Sequence, residues 1–316
     1  MLNFKDQSFG LELEFTGITR ESACKAISRV VANGAAPYYK GGAYHAWTVK
    51  DGQGRTWTVE RDSSIWVSDG GEQCEFVTPK CNYADIPTVQ ECIRALRRAG
   101  AKVNTSCGMH IHVDAANHTA KSLKNLLFTF RAKEDLIFKA VGTQSNRLAQ
   151  WCKPIDDTLV DRVKKIKKLD GNTLKETWYS TYAQSWEIQD AHYNSSRYHA
   201  LNLHSVYFRG TVEFRLFEAT LHAGEARAYI NLCLAMSAQA INSKRASADV
   251  LDNGNDKYAM RCWLLRLGFI GDEYKTIREH LLKRLSGNAA WRNDPTTYES
   301  YNNRRRSSRN DVAESA

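Results

Sequence analysis

The chain has 316 residues, 42% of them hydrophobic, and a formal net charge of +9. A chain of this size can bury a sizeable core, as one large domain or as a domain with an appendage. It has no long apolar run and no charged-then-apolar leader, which argues against a membrane span and against secretion. Its eight cysteines include no Cys-x-x-Cys pair, so we expect reduced thiols in a cytoplasmic protein and neither a zinc knuckle nor a thioredoxin motif.

The positive charge is concentrated in two segments. Residues 162–168 have the periodicity of a basic helix, and residues 304–309 form an arginine-rich stretch in a polar tail. A solvated helix face and a disordered tail are the favoured interpretation of these segments, ahead of a nucleic-acid contact. A basic rim would still attract anionic nucleotides.

In chain order, the predicted elements are short strands separated by helices. The two strands around Asp51-Gly52-Gln53-Gly54 form a hairpin, and Gly100 stands where a helix should end. Residues 142–195 are less regular, and we expect them to form an insertion that covers one edge of the site. The strands are predicted at 10–15, 44–49, 55–60, 73–77, 109–114 and 211–217, and the helices at 22–33, 83–99, 120–141, 224–242, 257–267 and 272–285. This order predicts an α+β fold, with mostly antiparallel strands and helices at the sides.

Three of these strands alternate apolar residues with acidic, histidine or arginine residues, which is the pattern of a strand with one polar face. If they belong to one sheet whose apolar face covers the core, the other face gathers carboxylates, imidazoles and a guanidinium in one place. Folding alone does not require such a face. Its residues are Glu12 and Glu14 on the first strand, His110, His112 and Asp114 on the second, and Glu213 and Arg215 on the third.

This residue set favours metal and anion chemistry. Crowded carboxylates repel one another and tend to protonate unless a cation lies among them. A site rich in oxygen ligands with a single nitrogen ligand suits Mg²⁺ or Mn²⁺. An arginine on the same face offers a planar fork for phosphate oxygens. We therefore interpret the pattern as a metal and nucleotide site.

Other interpretations remain open for the same residues. The His-x-His strand with a carboxylate would also suit a zinc-dependent hydrolase, although this leaves the two acidic residues of the first strand unexplained. Taken alone, Glu213 and Arg215 could be an exposed ion pair that contributes little to stability. A nonenzymatic nucleic-acid or assembly protein, using the basic helix and the tail, is the third possibility.

The combination of motifs over residues 8–240 resembles the amidoligase family of carboxylate–amine ligases, which is related to glutamine synthetase and glutamate–cysteine ligase. Each motif is weak alone, and the specificity comes from their order. The matching residues are Gly10-x-Glu-x-Glu-Phe15, Trp57-x-Val59-x-x-Asp62-x-Ser64, Glu75-Phe-Val-Thr-Pro79, Gly108-x-His-x-His112, Arg197-Tyr198, Asn202, Val212-Glu-Phe-Arg-x-Phe217 and Thr220.

The resemblance implies a glutamine synthetase-like catalytic domain with a curved sheet, binding ATP and Mg²⁺ or Mn²⁺. The expected partners are a carboxylate substrate and an amine substrate, which could be an amino acid, a peptide or a protein side chain. Oligomeric state and the identity of both substrates stay open. The implied domains are 1–245, the catalytic domain with its insertion at 142–195, then 246–300, a helical appendage, and 301–316, a basic disordered tail.

The resemblance also implies a role for individual residues. Glu12, His110 and Glu213 would bind the metal nearest the ATP phosphates, and Glu14 and Glu75 the metal nearest the carboxylate substrate. The remaining roles are Arg215 on the transferring phosphoryl group, His112 and Asn104 on substrate or nucleotide, Arg197 on an anionic group, and Asp62 near the amine.

Overall fold

A computed structural model describes residues 1–189, 191–250 and 254–292. Within them, eight strands form one sheet in which all neighbouring strands are antiparallel. They are β1 (Phe9–Phe15), β2 (Tyr38–Gly41), β3 (Ala46–Lys50), β4 (Thr56–Glu60), β5 (Cys74–Val77), β6 (Gly108–Asp114), β7 (Leu201–Asn202) and β8 (Thr211–Glu218). Their order across the sheet is β2-β3-β4-β5-β1-β6-β8-β7. Together with the flanking helices, this confirms the predicted α+β class.

The helices lie around this sheet, and several of them cover its apolar face. Phe130 of the third helix contacts Phe214 of β8, and Tyr229 of the ninth stacks on Phe217 at a ring separation of 4.6 Å. The helices are α1 (Arg20–Val31), α2 (Ile86–Arg98), α3 (Ala120–Arg131), α4 (Glu134–Val141), α5 (Ser145–Gln150), α6 (Asp157–Lys165), α7 (Gly171–Tyr182), α8 (His204–Arg209), α9 (Ala223–Asn242), α10 (Asp256–Arg266) and α11 (Lys275–Leu282).

The alternation read from the sequence decides which face of each central strand is buried against the helices. On β1, Leu11, Leu13 and Phe15 are at most 1% exposed and join the hydrophobic core. Met109 and Ile111 of β6 pair with core residues of its neighbours. Successive side chains of a strand point to opposite faces, so the polar residues between them lie on the face opposite the core.

Two predicted helices differ from the structure. The helix predicted over 120–141 is two helices, because Lys133 leaves the helical conformation with a φ of −126°. The next residue, Glu134, is buried and accepts a hydrogen bond from the Ile155 amide, so the chain turns here to meet the segment at 155. The basic helix predicted over 162–168 ends at Lys165, and Ile166 is already extended.

The predicted hairpin is part of a three-stranded ribbon. Strand β3 begins at Ala46, two residues later than predicted, and β2 was not predicted at all. Gly41 at the end of β2 and Gly42 and His45 in the turn that follows all have positive φ. The chain therefore reverses direction before residue 46. The exposed tyrosines Tyr38 and Tyr39 lie on this edge strand.

The C-terminal helices share the hydrophobic core with the rest of the chain. Phe269, Ile277 and Leu281 are at most 1% exposed within it. The carboxylate of Glu225 on α9 accepts hydrogen bonds from Lys283 and Arg284. The predicted tail at 301–316 lies outside the described residues. In the part of the chain that is described, no helix has the length and apolarity needed to cross a bilayer, and all eight cysteines are free thiols.

Candidate active site

Strand register brings acidic and imidazole side chains together on the sheet face opposite the helices. Residues that pair directly across antiparallel strands point to the same side. Five adjacent strands, from β4 through β5, β1 and β6 to β8, each contribute such residues. The pairs are Glu60 with Glu75, Glu75 with Glu14, Glu12 with His110, and His112 with Glu213.

The first cluster consists of Glu12, His110 and Glu213. The Nδ1 atom of His110 lies 3.2 Å from Glu12 Oε2 and 3.8 Å from Glu213 Oε1. One ligand atom from each of the three residues lies within 4.8 Å of the others. This spacing allows all three to bind one metal ion.

The second cluster consists of Glu14, Glu75 and the same histidine. The Nε2 atom of His110 lies 3.8 Å from Glu14 Oε1. The other oxygen of Glu14 accepts a hydrogen bond from the Gly108 amide at 2.6 Å, which fixes the carboxylate against the start of β6. His110 therefore stands between the two clusters, with one ring nitrogen facing each.

The carboxylates of the two clusters differ in their affinity for protons. Burial and the nearby charge of Asp62 raise the pKa of Glu14 to about 7. Burial and the charge of Glu12 raise the pKa of Glu75 well above its ordinary value. Burial also opposes ionisation of Glu12, but His112 and His110 outweigh it and hold the Glu12 pKa well below the usual range. A cation in the second cluster would displace protons that burial otherwise retains.

The two histidines are in different protonation environments. Burial, helped by the charge of Arg215, lowers the pKa of His110 to about 4, so its imidazole is neutral as a metal ligand must be. Burial opposes the charge of His112 as well, but Glu12 and Glu213 raise its pKa. Its Nδ1 atom is hydrogen-bonded to Thr211 Oγ1 at 2.9 Å. Its Nε2 atom is buried without a hydrogen-bond partner among the described residues and lies 3.4 Å from Glu12 Oε1, so His112 borders the first cluster.

The donor sets of both clusters fit a hard divalent cation. Each offers two carboxylates, and the two clusters share one imidazole, that of His110, whose neutral ring can bind one metal ion at a time. Oxygen-rich sets of this kind suit Mg²⁺ or Mn²⁺, which keep several positions for water or phosphate oxygens. The raised pKa values of Glu14 and Glu75 agree with this, because these carboxylates lack a cationic partner strong enough to keep them ionised.

Arg215 lies next to a bulge in β8. Met109 and Ile111 are two residues apart, whereas their partners Phe217 and Phe214 are three apart, so β8 contains one extra residue. A bulge of this type re-aims side chains. The guanidinium of Arg215 is buried and donates to Glu213 Oε1 at 2.5 Å. Asn202 of β7 donates to the other oxygen of Glu213 at 2.6 Å.

A second buried arginine, Arg147, enters from α5. Its Nη2 atom lies 3.3 Å from His110 Nε2 and 3.3 Å from the Arg215 carbonyl oxygen. The Nε atom has no hydrogen-bond partner among the described residues although it is buried. Arg147 therefore borders the second cluster with donor capacity to spare.

Two cavities open over this face of the sheet. The larger has a volume of about 850 Å³ and is lined by the cluster residues Glu12, Glu14, Glu75 and His110 and by residues of the predicted insertion. The smaller, of about 270 Å³, lies over Gly10 and His112. The hydroxyl groups of Tyr44 and Tyr193 are 3.2 Å apart across the mouth of the larger cavity. Volumes in this range accommodate small-molecule substrates.

Comparison with known proteins gives this arrangement a family. The family described as "Putative amidoligase enzyme" matches residues 5–237, which include all eight strands. The chain belongs to this amidoligase family. The resemblance inferred from the sequence motifs is thereby confirmed, and family membership supports an enzyme of the ligase class.

Comparisons outside the family add little to this assignment. A bifunctional glutathione synthetase from Pasteurella multocida aligns with 89% of this chain and 47% of its own, at 13% identity and a TM-score of 0.37. The amidoligase chain thus spans about half the length of that enzyme. No curated protein sequence matches the chain.

The amidoligase site contains most of the residues singled out from the sequence. Glu12, Glu14, Glu75, His110 and Arg215 line the larger cavity, as do Asp62 and Arg197. His112 lines the smaller cavity, and Glu213 lies in the first cluster.

Three predicted residues are already engaged by neighbouring groups. Asp62 accepts a hydrogen bond from the Ser64 amide. Arg197 donates to the His192 carbonyl oxygen and lies over the ring of Tyr198. Asn104 is held within its own loop, where it donates to the Trp66 carbonyl oxygen and accepts from Ser106. The Asn104 side chain is thus occupied in fixing the loop.

Three residues of the amidoligase site were missed by the sequence analysis: Glu60, Arg147 and Arg209. Glu60 alternates with Trp57 and Val59 on a predicted strand, so periodicity could have placed it on the polar face. Arg147 and Arg209 come from the insertion and from a helix end. No periodic pattern indicates where such side chains point.

Proposed function

We propose that this amidoligase is an ATP-dependent carboxylate–amine ligase that forms an amide through an acyl-phosphate intermediate. The observation that carries this proposal is the pair of carboxylate clusters around His110, bordered by buried arginines on one face of the sheet. Metal and arginine side chains together are what phosphoryl transfer requires, since its catalysis consists mainly of positioning and charge stabilisation.

The proposed reaction has two steps. In the first, a carboxylate oxygen of the acid attacks the γ-phosphorus of ATP, and the bond from that phosphorus to the β,γ-bridging oxygen breaks to release ADP. In the second, the amine nitrogen attacks the acyl carbon, and the carbon–oxygen bond breaks to release phosphate. The proton lost by the nitrogen passes to a carboxylate of the larger cavity, for which Asp62 is the candidate.

The first cluster would hold one divalent cation through Glu12, His110 and Glu213, and the second would hold another through Glu14 and Glu75. When bound, Mg²⁺ or Mn²⁺ supplies charge that neutralises phosphate oxygens. Arg215, already oriented by Glu213, would bind the transferring phosphoryl group. Arg197, His112 and Asn104 stay candidates for contacts with the substrate or the nucleotide.

The zinc-hydrolase alternative is less well supported by the geometry. A catalytic zinc site commonly uses two or three histidines. In the described residues, each candidate cluster contains one histidine, His110. His112, the second histidine of the strand, belongs to neither cluster, although its Nε2 atom lies 3.4 Å from Glu12 Oε1.

The nucleic-acid alternative has little support in the described residues. Of the basic segment 162–168, only the part up to Lys165 is helical, and Arg162 donates to the Ser180 carbonyl oxygen. The arginine tail lies outside the described residues. This possibility would be favoured by a gel shift with a steep salt dependence.

The direct test is release of phosphate from ATP by the purified protein with Mg²⁺ or Mn²⁺ across pools of acids and amines. We expect release that requires both an acid and an amine, and its loss in Glu213→Gln. Tight zinc binding with no nucleotide binding and no phosphate release would contradict the proposal. ATP that binds in a metal-dependent way without turnover would point to a macromolecular substrate outside the pools.

A further inference from the structure

Arg209 lies between a helix and the sheet and has no role in the reaction proposed above. It is the last residue of α8, and Gly210 follows with a φ of +73°, which lets the chain turn directly into β8. A left-handed glycine at this point is a common helix end. The turn directs the Arg209 side chain over the strands, towards Glu12 on β1.

The contacts of Arg209 leave much of its guanidinium available to a ligand. Nη1 donates to Glu12 Oε1 at 2.9 Å, and Nη2 lies 3.3 Å from His192 Nε2. Two of the five N–H groups of an arginine are thus engaged by described residues. The Arg209 side chain is 41% exposed, whereas the Arg215 side chain is 6% exposed. Arg209 can therefore bind an anion without a rearrangement of the core.

Arg209 also lies where the two cavities meet. Glu12, Val77 and Arg209 line both the larger and the smaller cavity. Val77 is apolar, and Glu12 belongs to the first metal cluster. Among these three shared residues, Arg209 alone carries a positive charge.

We propose that the nucleotide and the carboxylate substrate approach the first cluster from the two cavities, and that Arg209, in the shared wall, is a catalytic residue that binds the phosphoryl group as it passes between them. This inference rests on the proposed ligase function and extends it, because it adds a second arginine to Arg215. The two arginines border the first cluster from Glu12 on one side and Glu213 on the other.

The contact with Glu12 explains how the Arg209 guanidinium keeps its position before a substrate binds. The carboxylate holds the guanidinium at the junction, and it is also a candidate metal ligand. When Glu12 turns to a cation, the N–H groups of Arg209 become available for phosphoryl oxygens, and the planar fork matches two of them.

The test compares wild type, Arg209→Ala, Arg209→Lys and, as a matched control, Arg227→Ala. Arg227 lies on α9 and donates to the Glu273 carbonyl oxygen. Three quantities are measured: phosphate release, affinity for Mn²⁺, and affinity for Mg·ADP with and without beryllium fluoride, which mimics the γ-phosphoryl group.

We expect Arg209→Ala to lower phosphate release about a hundredfold, as loss of one contact to a developing charge usually does. The gain in ADP affinity that beryllium fluoride gives the wild type should disappear, while affinity for Mg·ADP alone changes less than about threefold. Mn²⁺ affinity should be unchanged or higher, because Glu12 loses a competing partner. Arg209→Lys should recover only part of the activity, because an ammonium lacks the fork, and Arg227→Ala should behave as wild type.

Three outcomes would overturn the assignment in distinguishable ways. Phosphate release within fivefold of wild type in Arg209→Ala would remove Arg209 from catalysis. A parallel fall in Mn²⁺ affinity and activity would show that Arg209 only positions Glu12. A wild type that neither releases phosphate nor binds Mg·ADP would overturn the ligase proposal itself, and Arg209 with it. If the wild type binds Mg·ADP but releases no phosphate because its acid substrate is missing from the assay, the beryllium fluoride measurement decides the role of Arg209. Loss of the affinity gain in Arg209→Ala supports that role, and its persistence overturns it.

Discussion

The guanidinium of Arg147 occupies the space in which a side chain on Gly108 would stand. A Cβ atom added to Gly108 would lie 1.9 Å from Nη2 and 2.5 Å from the central guanidinium carbon. The same Nη2 atom contacts His110, two residues along the strand. The glycine at the start of β6 and the arginine from α5 are therefore fitted to each other beside the second cluster.

Gly108→Ala should displace Arg147 while the fold is kept, because the clash involves the end of a flexible side chain. Phosphate release should fall, because the displaced guanidinium loses its contact with His110. Phosphate release and the melting temperature check this. In an Arg147→Ala background the same glycine substitution should have little further effect, since the clash is gone, and such non-additivity marks residues in contact. Additive effects of the two substitutions would contradict the contact.

The two clusters predict two classes of Mn²⁺ site, measurable by isothermal titration calorimetry. Glu213→Gln should remove one class and Glu75→Gln the other, because each belongs to one cluster. His110→Ala should weaken the class that Glu213→Gln removes, because a neutral imidazole has one free nitrogen lone pair and the proposal assigns it to the first cluster. Exposed Glu91, which pairs with Arg94, provides Glu91→Gln as a control with unchanged stoichiometry. A single class of site that survives Glu75→Gln would remove the second cluster from the proposal.

Arg215→Ala should lower turnover by about a hundredfold, or about 3 kcal/mol of barrier, and should weaken ADP binding much less. The reason is that a contact to the transferring group is made most strongly in the transition state. Single-turnover phosphate release and equilibrium ADP titration measure the two effects. The opposite pattern would assign Arg215 to nucleotide binding.

The buried carboxyl of Glu134 predicts how stability changes with pH. Burial raises its pKa from 4.5 to about 7, so the folded state retains a proton that the unfolded state has lost between these values. Its contribution to stability is present below pH 4.5 and falls as the pH rises to 7, by an amount on the order of 3 kcal/mol. Glu134→Gln should therefore gain stability relative to wild type between pH 5 and 8.

Urea denaturation at several pH values tests the Glu134 prediction. Glu176→Gln, on an exposed position of α7, controls for the loss of one negative charge. Parallel stability curves for wild type and Glu134→Gln would show that the carboxyl of Glu134 is ionised in the folded state at all of these values.

The C-terminal segment allows a prediction about truncation. Deletion of the residues after Tyr301 should leave phosphate release unchanged. Deletion after Arg245 should instead lower the melting temperature sharply or make the protein insoluble, because it removes Phe269 and Leu281 from the core and leaves Glu225 without Lys283. Burial of each such apolar side chain stabilises the fold by about 1.5–3 kcal/mol. A soluble, fully active 1–245 fragment would show that this segment is dispensable.

The sequence predicted the centre of the site better than its borders. Alternation along a strand is a local property, so the side on which Glu12, His110 and Glu213 lie could be inferred without knowing the sheet order. The bulge in β8 breaks this rule, because the extra residue lets Phe217 join Phe214 on the core face. A pairing irregularity depends on the partner strand, which the sequence of β8 alone does not contain.

Residues that enter the site from helices and turns could not be predicted in this way. Arg147 and Arg209 reach the cavities because α5 and α8 end at particular points, and those points depend on long-range packing. Asn104 illustrates a second limit. The sequence does not indicate that its side chain is hydrogen-bonded within its own loop, and its contact with substrate or nucleotide stays a prediction.

The metal clusters rest on the interior strands β5, β1, β6 and β8, whereas Tyr44, Tyr193 and Arg197 reach the larger cavity from connecting segments. Interior strands open to solvent only when most of the protein unfolds, whereas connecting segments tolerate exchange and insertion. The carboxylates of both candidate clusters therefore lie on the part of the chain that opens last. Sequence changes in the connecting segments can alter the lining of the larger cavity without displacing those carboxylates.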